Sequence, residues 1–543
     1  MAESYKDPVL RRYARARTRR QAFDSMLRDC YDYALPQIDP TGNRPEGAKV
    51  DAHLYDSTAP FALWKKTQRI HGQLFPPGEP FVDFDFGGFR LRDLDEDQRQ
   101  QAEAVLADAA EAVSAAIDDS NFHIEINPAL AEVQISTGAI LFNEGTVDEP
   151  FVFEHIPISE LVPEQGPKGW IDTVFWPRKV ALRDIEELLP DAQLDEATRK
   201  QIDKDPDTEI DILFAQVKNP KPANPDKPFD FFVYLVDGEK RIVERSYATK
   251  PIIVFRLWRV GREVLGRGPV TLVRANILTA NKTVELVLKN ATIAVTGIWQ
   301  ADDDGVINPA NIKLTPGMII PKAVGSSGLQ PLQSPGRFDV SQLVLADLRA
   351  SIKEAIEGPP LPPLEGDRRT ATEFWTRERE LAEVEVPAHL RLFYEFDRPF
   401  AERAIDILSS DKYRGTRYHV PLYDLGTSRL RPRPASPLAK IREYAALTRT
   451  HQALLAAGAI SPEITAKIVK LERYLRRFLL AHGIELDDLV NKDDLAKAQA
   501  EAAVQQQAHA AGMQQGVQVG ERIGAGDLTG ALQVVQQTMG AAQ

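Results

Sequence analysis

The chain has 543 residues, 43% of them hydrophobic and 27% charged, with a formal net charge of −13 and one cysteine, Cys30. This is too long for one ordinary compact domain, and the composition is that of a folded protein. An intramolecular disulfide is impossible, no apolar run approaches the roughly 18 residues of a membrane span, and the acidity argues against a surface that grips nucleic acid everywhere.

The first twenty residues carry Lys6 and six arginines with no apolar core, so no signal peptide is expected and assembly in a cytosol is. Residues 8–35 read as one helix closed by Pro36. Its arginines, Arg11, Arg12, Arg15, Arg17, Arg19 and Arg20, are the densest basic cluster in the chain. The cluster reads first as a solvated helix face and second as a contact with DNA or an acidic partner. Residues 56–75 form a second helix, stopped by Pro76, Pro77 and Gly78. Residues 93–119 form a third, with Asp93, Asp95, Glu96 and Asp97 at its positive end. β-Branched and aromatic residues then mark strands at 132–145, 151–158 and 170–176. A short helix at 183–190, a hairpin at 230–248 turning on Asp237 and Gly238, and a strand at 251–260 follow. Residues 50–265 are thus an α+β module behind an N-terminal helical arm, 1–49.

Pro269 suits a first helical turn, and the helix it opens runs to Val295 without Gly or Pro. Val273, Ile277, Ala280, Val284, Val287, Ala291 and Ala294 recur at heptad-like 4-3 spacing, and the small members permit close helix approach. At ~1.5 Å per residue this helix spans roughly 40 Å. Leu272, Leu278, Leu286, Leu288 and Ile293 make its other faces apolar, so a helix buried within one domain also fits. Lys282, Glu285 and Lys289 lie within i+3 and i+4 reach on a polar stripe. Residues 296–338 change to a small β-rich excursion that begins near Trp299. Asp302, Asp303 and Asp304 before Gly305 invite a calcium loop, but the glutamate that closes a twelve-residue loop is missing, and a hairpin turn fits better.

A helix capped by Asp339 covers 339–357. Gly358 stops it, and Pro359, Pro360, Leu361, Pro362, Pro363, Leu364 and Glu365 follow as a stiff loop with Arg368 and Arg369 at its base. Thr370 and Glu373 form a capping box for a long helix, 371–409, which Pro387 and Pro399 should kink. Residues 410–435 return to strand, 436–490 hold two helices, and 491–543 are an Ala/Gln-rich tail. Two long helices joined by a small β module suggest a stalk with a lobe at its tip.

No phosphate-loop, H-E-x-x-H or G-x-S-x-G pattern is present. His71, His123, His155 and His389 are scattered, and no carboxylate spacing picks out a metal site. The residues therefore favour a structural or assembly protein with no metal or cofactor over an enzyme. The alternative is an enzyme such as a metal-dependent nuclease, whose acidic pair no spacing here picks out.

The stretch GRGPVTLVRANILTANKTVELVLKNATIAVTGIWQADDDGVINPANIKLTPGMII (266–320) resembles the central region of phage portal proteins, the head-to-tail connectors of short-tailed phages. DSTAPFALWKKTQRIHGQLFPPGEPFVDF (56–84), STGAILFNEG (136–145) and RRTATEFWTRERE (368–380) resemble other stretches of that family in the same order. The resemblance covers about 50 to 410. It implies an elongated subunit, α+β but mostly helical. Its parts would be a wing (50–265, rejoined by 410–435), stem helices (266–295 and 339–357), a clip (296–338, with Trp299, Asp302, Asp303 and Asp304), a tunnel loop (358–370), a long kinked helix (371–409) and a crown (436–490).

It also implies a ring of usually twelve copies at one capsid vertex of the virion, with double-stranded DNA passing through its channel during packaging and ejection. The implied partners are other copies of the chain, terminase, tail and adaptor proteins, and capsid and scaffolding proteins; packaging would be driven by the separate terminase. In such a ring a stem helix meets neighbours on both sides, which explains its broad apolarity. Whether Lys282, Glu285 and Lys289 face the channel or the outside stays open. So does the choice, for Arg368 and Arg369, between phosphate contacts and pairing with Glu365 or Asp367.

Overall fold

The computed structural model describes residues 5–86 (without 46 and 79), 96–296, 299–300, 330–331, 338–358, 390–420, 430–434 and a few helical positions between 450 and 479. The chain divides into two units, Met1–Ile441 and Arg442–Gln543. The second holds only those last helical positions; everything below belongs to the first. Helix exceeds strand among the described residues, in a mixed α+β architecture, and no described helix is long and apolar enough to cross a membrane.

The single helix expected over 8–35 is two, α1 (Pro8–Gln21) and α2 (Asp24–Ala34). Asp7 caps α1 by accepting from Val9 N at 2.7 Å. The bend follows from Arg20, which is buried and donates to Asp24 and to the carbonyls of Pro40 and Ile158. A buried guanidinium needs such acceptors, and a straight helix through Ala22 and Phe23 would carry Asp24 along a different line.

α3 (Thr58–Leu74), β1 (Val82–Phe86), α4 (Glu96–Asp118) and α5 (Phe122–Val133) come next. α5 was not anticipated, and the strand expected from 132 starts only at Thr137. β2 (Thr137–Glu144) lies between β3 (Phe151–His155) and β9 (Ile252–Arg256) in an antiparallel three-stranded sheet. β4 (Val162–Gln165), β5 (Ile171–Ala181), β6 (Glu209–Lys218), β7 (Phe229–Leu235) and β8 (Lys240–Tyr247) form an antiparallel meander, with α6 (Ile185–Leu188) and α7 (Glu196–Lys204) between β5 and β6. Gly238 turns the β7–β8 hairpin at φ +89°.

The meander is buried on both faces. Trp176, Phe214, Phe231 and Val233 point into one core; Phe175, Leu213, Ala215 and Phe232 point into another, closed by Leu10, Tyr13 and Ala16 of α1. A strand covered on both sides reads as a continuous apolar run without alternation, which is why β6 escaped the sequence pattern.

α8 (Pro269–Leu272) and α9 (Arg274–Thr296) replace the uninterrupted helix expected from Pro269, with a break at Val273. The root is tight: a Cβ on Gly268 would stand 1.9 Å from the Gln134 carbonyl oxygen, so only glycine passes there. β10 (Trp299–Gln300) pairs with β11 (Gln330–Pro331), and α10 (Phe338–Glu357) follows. Of the long helix expected over 371–409, the described part runs from 390 through a π-helical turn, Phe393–Asp397, into α11 (Arg398–Leu408). The irregularity sits next to Pro399, which has no N–H to donate in the ordinary i→i−4 bond. β12 (Leu430–Pro434) pairs antiparallel with β1.

Phe400 is fully buried at the centre of an aromatic cluster, with ring centroids 5.0 Å from Phe142, 5.3 Å from Phe122 and 5.5 Å from Phe396. The π-turn also aims Glu395 inward. Arg256, the last residue of β9 and fully buried, donates to Glu395 at 2.7 and 3.1 Å and to the carbonyls of Val264 and Gly169 at 3.0 and 3.2 Å. Arg391 adds a third bond to Glu395 at 3.0 Å.

Removing one partner of a buried pair leaves an uncompensated charge, which costs about 3–5 kcal/mol. Arg256→Met should therefore lose more stability in urea titration than Arg256→Met combined with Glu395→Met. A double variant at least as unstable as the single would mean that Arg391 already compensates Glu395 once Arg256 is gone.

Burial pushes the Asp397 carboxyl up to about 7. Between roughly pH 4 and pH 7 the folded chain holds a proton there that the unfolded chain has lost, so this group makes stability fall as pH rises through that window and adds no slope above it. Asp397→Asn should flatten that part of the profile of denaturation midpoint against pH. An unchanged slope would place the carboxyl in solvent.

Candidate functional site

Helix α10 packs on both α3 and α9, and the three carry the residues that the sequence marked for packing and for the loop root. Val273, Ile277 and Ala280 are buried in the same core as Leu63, Ile352 and Ile356. Val284, Val287 and Ala291 are only half-buried, and the side chain of Ala294 lies outside the described residues. The seam thus closes inside the chain along the first half of α9 and opens along the second.

Polar contacts fix this trio at three levels. Asn281, buried on α9, accepts from the backbone N–H groups of Tyr55 and Asp56 at 2.7 and 3.0 Å and donates to the His53 carbonyl at 2.9 Å. Asp56 in turn accepts from Arg349 of α10 at 2.8 Å and from Thr58 N at 2.8 Å. Burial raises the Asp56 carboxyl, but the Thr58 bonds and Arg349 outweigh it and hold the group below its ordinary value. Asn276 of α9 donates to Ser351 of α10 at 3.1 Å.

At the C-terminal end of α10, Lys65 of α3 reaches the Glu357 carboxylate at 2.6 Å and Arg69 donates to the Glu357 carbonyl. Two cations at a helix C-terminus also complement its dipole. Gly358 ends α10 at φ +93°, its N–H on Glu354 O at 3.0 Å. The root of the segment 358–370 is therefore bolted to α3. Pro359, Pro360, Leu361, Pro362, Pro363, Leu364, Glu365, Arg368 and Arg369 themselves lie outside the described residues, as do Asp302, Asp303 and Asp304. Trp299 stands in β10, with its side chain outside the description.

On the solvent-exposed side of α9, Glu285 pairs with Lys289 at 2.5 Å and Lys282 at 2.9 Å. The bonds from Lys289 and then Lys282 hold the Glu285 carboxyl below its ordinary value. The two lysines remain mostly exposed. Large apolar side chains are exposed on the same helices: Phe61 and Trp64, stacked 5.9 Å apart on α3, Leu272 on α8, Leu286 and Leu288 on α9, and Leu343 and Val344 on α10.

The fold joins two histidines that the sequence left apart. His71 Nε2 lies 3.1 Å from His123 Nδ1, and Asn127 lies 3.2 Å from His71 Nδ1. Burial lowers both imidazoles, His71 further through its neighbour. Among the described residues no three His, Cys, Asp or Glu side chains gather as a metal-binding group. Cys30 is buried, which pushes its thiol up to about 12 and keeps it neutral.

A family model described as bacteriophage head to tail connecting protein matches residues 6–490. No curated protein matches the chain. Among solved structures, the neck of an empty gene transfer agent particle computed with C6 symmetry is similar at 10% identity and a TM-score of 0.32, covering 77% of this chain and 92% of that one. A chain from the virion of the native gene transfer agent particle is similar at 12% identity and a TM-score of 0.28, covering 72% and 89%. The family model spans nearly the whole sequence, and this protein belongs to the bacteriophage head to tail connecting protein family.

Proposed function

We propose that the chain is a portal subunit of a short-tailed phage: copies of it, twelve by resemblance, close into a ring at one capsid vertex. Double-stranded DNA is packaged and ejected through the ring, and terminase and tail proteins dock on it in turn. In this reading α8–α9 and α10 are the stem, 296–338 the clip, 358–370 the tunnel loop, 50–265 with 410–435 the wing, and 436–490 the crown.

The observation that carries the ring is the pattern of exposure on α3, α8, α9 and α10. Leu343 is 75% and Leu272 72% exposed, on helices that are otherwise pinned by Asn281, Arg349, Lys65 and Arg69. Rigid helices that show apolar side chains to water on several faces suit an interface more than a monomer surface. A subunit with different apolar patches on its two flanks assembles head-to-tail, and such contacts close into rings when the rotation allows.

Leu343→Glu replaces an exposed side chain, so the free subunit should keep its stability to within about 0.5 kcal/mol. Assembly should weaken, because the carboxylate would be buried against the neighbour. Light scattering and negative-stain images of rings check this; full assembly by the variant would remove Leu343 from the interface, and a wild-type chain that stays monomeric at all salt concentrations would remove the ring.

The anchored root at Glu357 and Gly358 supports a fixed base for the loop. Proline-rich backbone favours an extended path that costs less entropy to hold than a glycine-rich one. Replacing 359–365 by a Gly/Ser linker should leave rings and capsids intact while packaged DNA is reduced or leaks back. Full retention of the genome by such capsids would exclude the loop from the channel's work.

A further inference from the structure

The arginine cluster of α1 has been divided by the fold. Arg20 is buried in its own ligand set, Arg12 is bound to Glu164 at 2.9 Å and Thr173 at 3.2 Å, and Arg17, although exposed, stands four residues after the buried Tyr13 on the sheet side of the helix. That leaves Arg11, Arg15 and Arg19, all exposed, at i, i+4 and i+8 on the face of α1 opposite its buried stripe of Leu10, Tyr13 and Ala16. None of the three has a carboxylate partner among the described residues; the one contact is Arg15 Nε on the Arg11 carbonyl, 3.4 Å. No acidic residue occurs between Asp7 and Asp24.

We infer that this arginine ladder is a track for the phosphate backbone of double-stranded DNA, a contact additional to the channel and carried on the outer face of the five-stranded sheet. The apolar stripe of α1 lies on the sheet face opposite the one that joins the core of Val273, Ile277 and Ala280, so the ladder points away from the stem helices' own core.

Three observations select DNA. The ladder is ~12 Å long, and one strand of duplex carries a phosphate every ~3.4 Å along the axis, so three side chains face about three or four phosphates. Guanidinium groups free of carboxylates can each take a phosphate with two parallel bonds. No large apolar side chain is exposed on α1, whereas a protein partner would need such an anchor at the centre of its interface. The chain's net charge of −13 repels phosphate elsewhere and confines the contact to this face.

The test uses the full chain, with a fluorescent duplex of about 30 base pairs and mixed sequence titrated by anisotropy at about 50 to 200 mM salt. Neutralising three phosphates should contribute about 2.7 to the slope of log affinity against log salt. Arg11→Gln, Arg15→Gln and Arg19→Gln together should weaken binding at least about tenfold and lower the slope by about 2 to 3. The corresponding three Arg→Lys changes should keep most of the affinity and the slope. Lys168→Gln, Lys221→Gln and Lys227→Gln together, exposed lysines elsewhere, serve as the charge control and should have little effect.

Helical circular dichroism and light scattering on the glutamine variant verify its fold and its assembly. If no rings form in either protein, the ring falls while the ladder is still scored by the same titration. Equal binding by wild type and the glutamine variant, or equal loss in the lysine control, would overturn the inference. So would displacement of the ladder's duplex by polyglutamate as efficiently as by DNA of equal charge, which would assign the face to an acidic protein segment.

Discussion

The buried pair of Arg256 and Glu395 is the constraint around which the described unit is arranged. A guanidinium with no exposure has five N–H donors and no water to take them. Its acceptors come from the 264–266 segment, from Gly169 beyond β4, and from a π-turn more than a hundred residues later. The chain therefore has to bring three separate segments to the end of β9. Once Glu395 is aimed at Arg256, Phe400 one turn further on enters the aromatic cluster, and α11 is placed with it. The segment leaving Arg256 is fixed as well: Gly266 N donates to Thr137 at 2.8 Å and Gly268 N to Ile135 O at 3.0 Å. The point from which α8 and α9 depart is set by these bonds, next to the Val264 carbonyl that Arg256 holds.

From that point α9 runs out of its own core. Val273, Ile277 and Ala280 are buried, Asn281 makes the last buried contact, and beyond it no described side chain on the helix is buried. Val284, Val287 and Ala291 are only half-buried, so this part of the apolar seam gains less from the hydrophobic effect than the first half does. In the ring proposed above, the stability of this half of the helix and the closing of an interface would be one event.

The same division explains what the sequence could reveal. The 4-3 spacing on α9 is a local signal and was legible; whether its partner lies within the chain is not a property of spacing, and Val284, Val287 and Ala291 show the difference. The break at Val273 carries no Gly or Pro and had no local mark. β6 was missed because burial on both faces erases alternation. Arg256 with Glu395, Lys65 and Arg69 with Glu357, and His71 with His123 are joined only by tertiary structure; each is an unremarkable polar residue in its own segment. Gly358 was legible as a helix stop because its cause, a left-handed backbone, is local.

The arginines of α1 show the limit most clearly, because one residue type in one short helix meets three fates. Arg20 is drawn in by two carbonyls and a carboxylate, Arg12 is fixed to β4, and Arg11, Arg15 and Arg19 are left to solvent. Helical phase separates them, yet phase is defined only once the apolar stripe is known to face the sheet. The stripe, not the arginines, holds α1 in place: Leu10, Tyr13 and Ala16 are buried against Phe175, Leu213 and Phe232. The outward charges therefore contribute little to folding, since exposed charged side chains seldom change stability by more than about 0.5 kcal/mol. A row of three cations kept on a rigid, sheet-backed helix in an acidic chain is free to be set by what it meets outside.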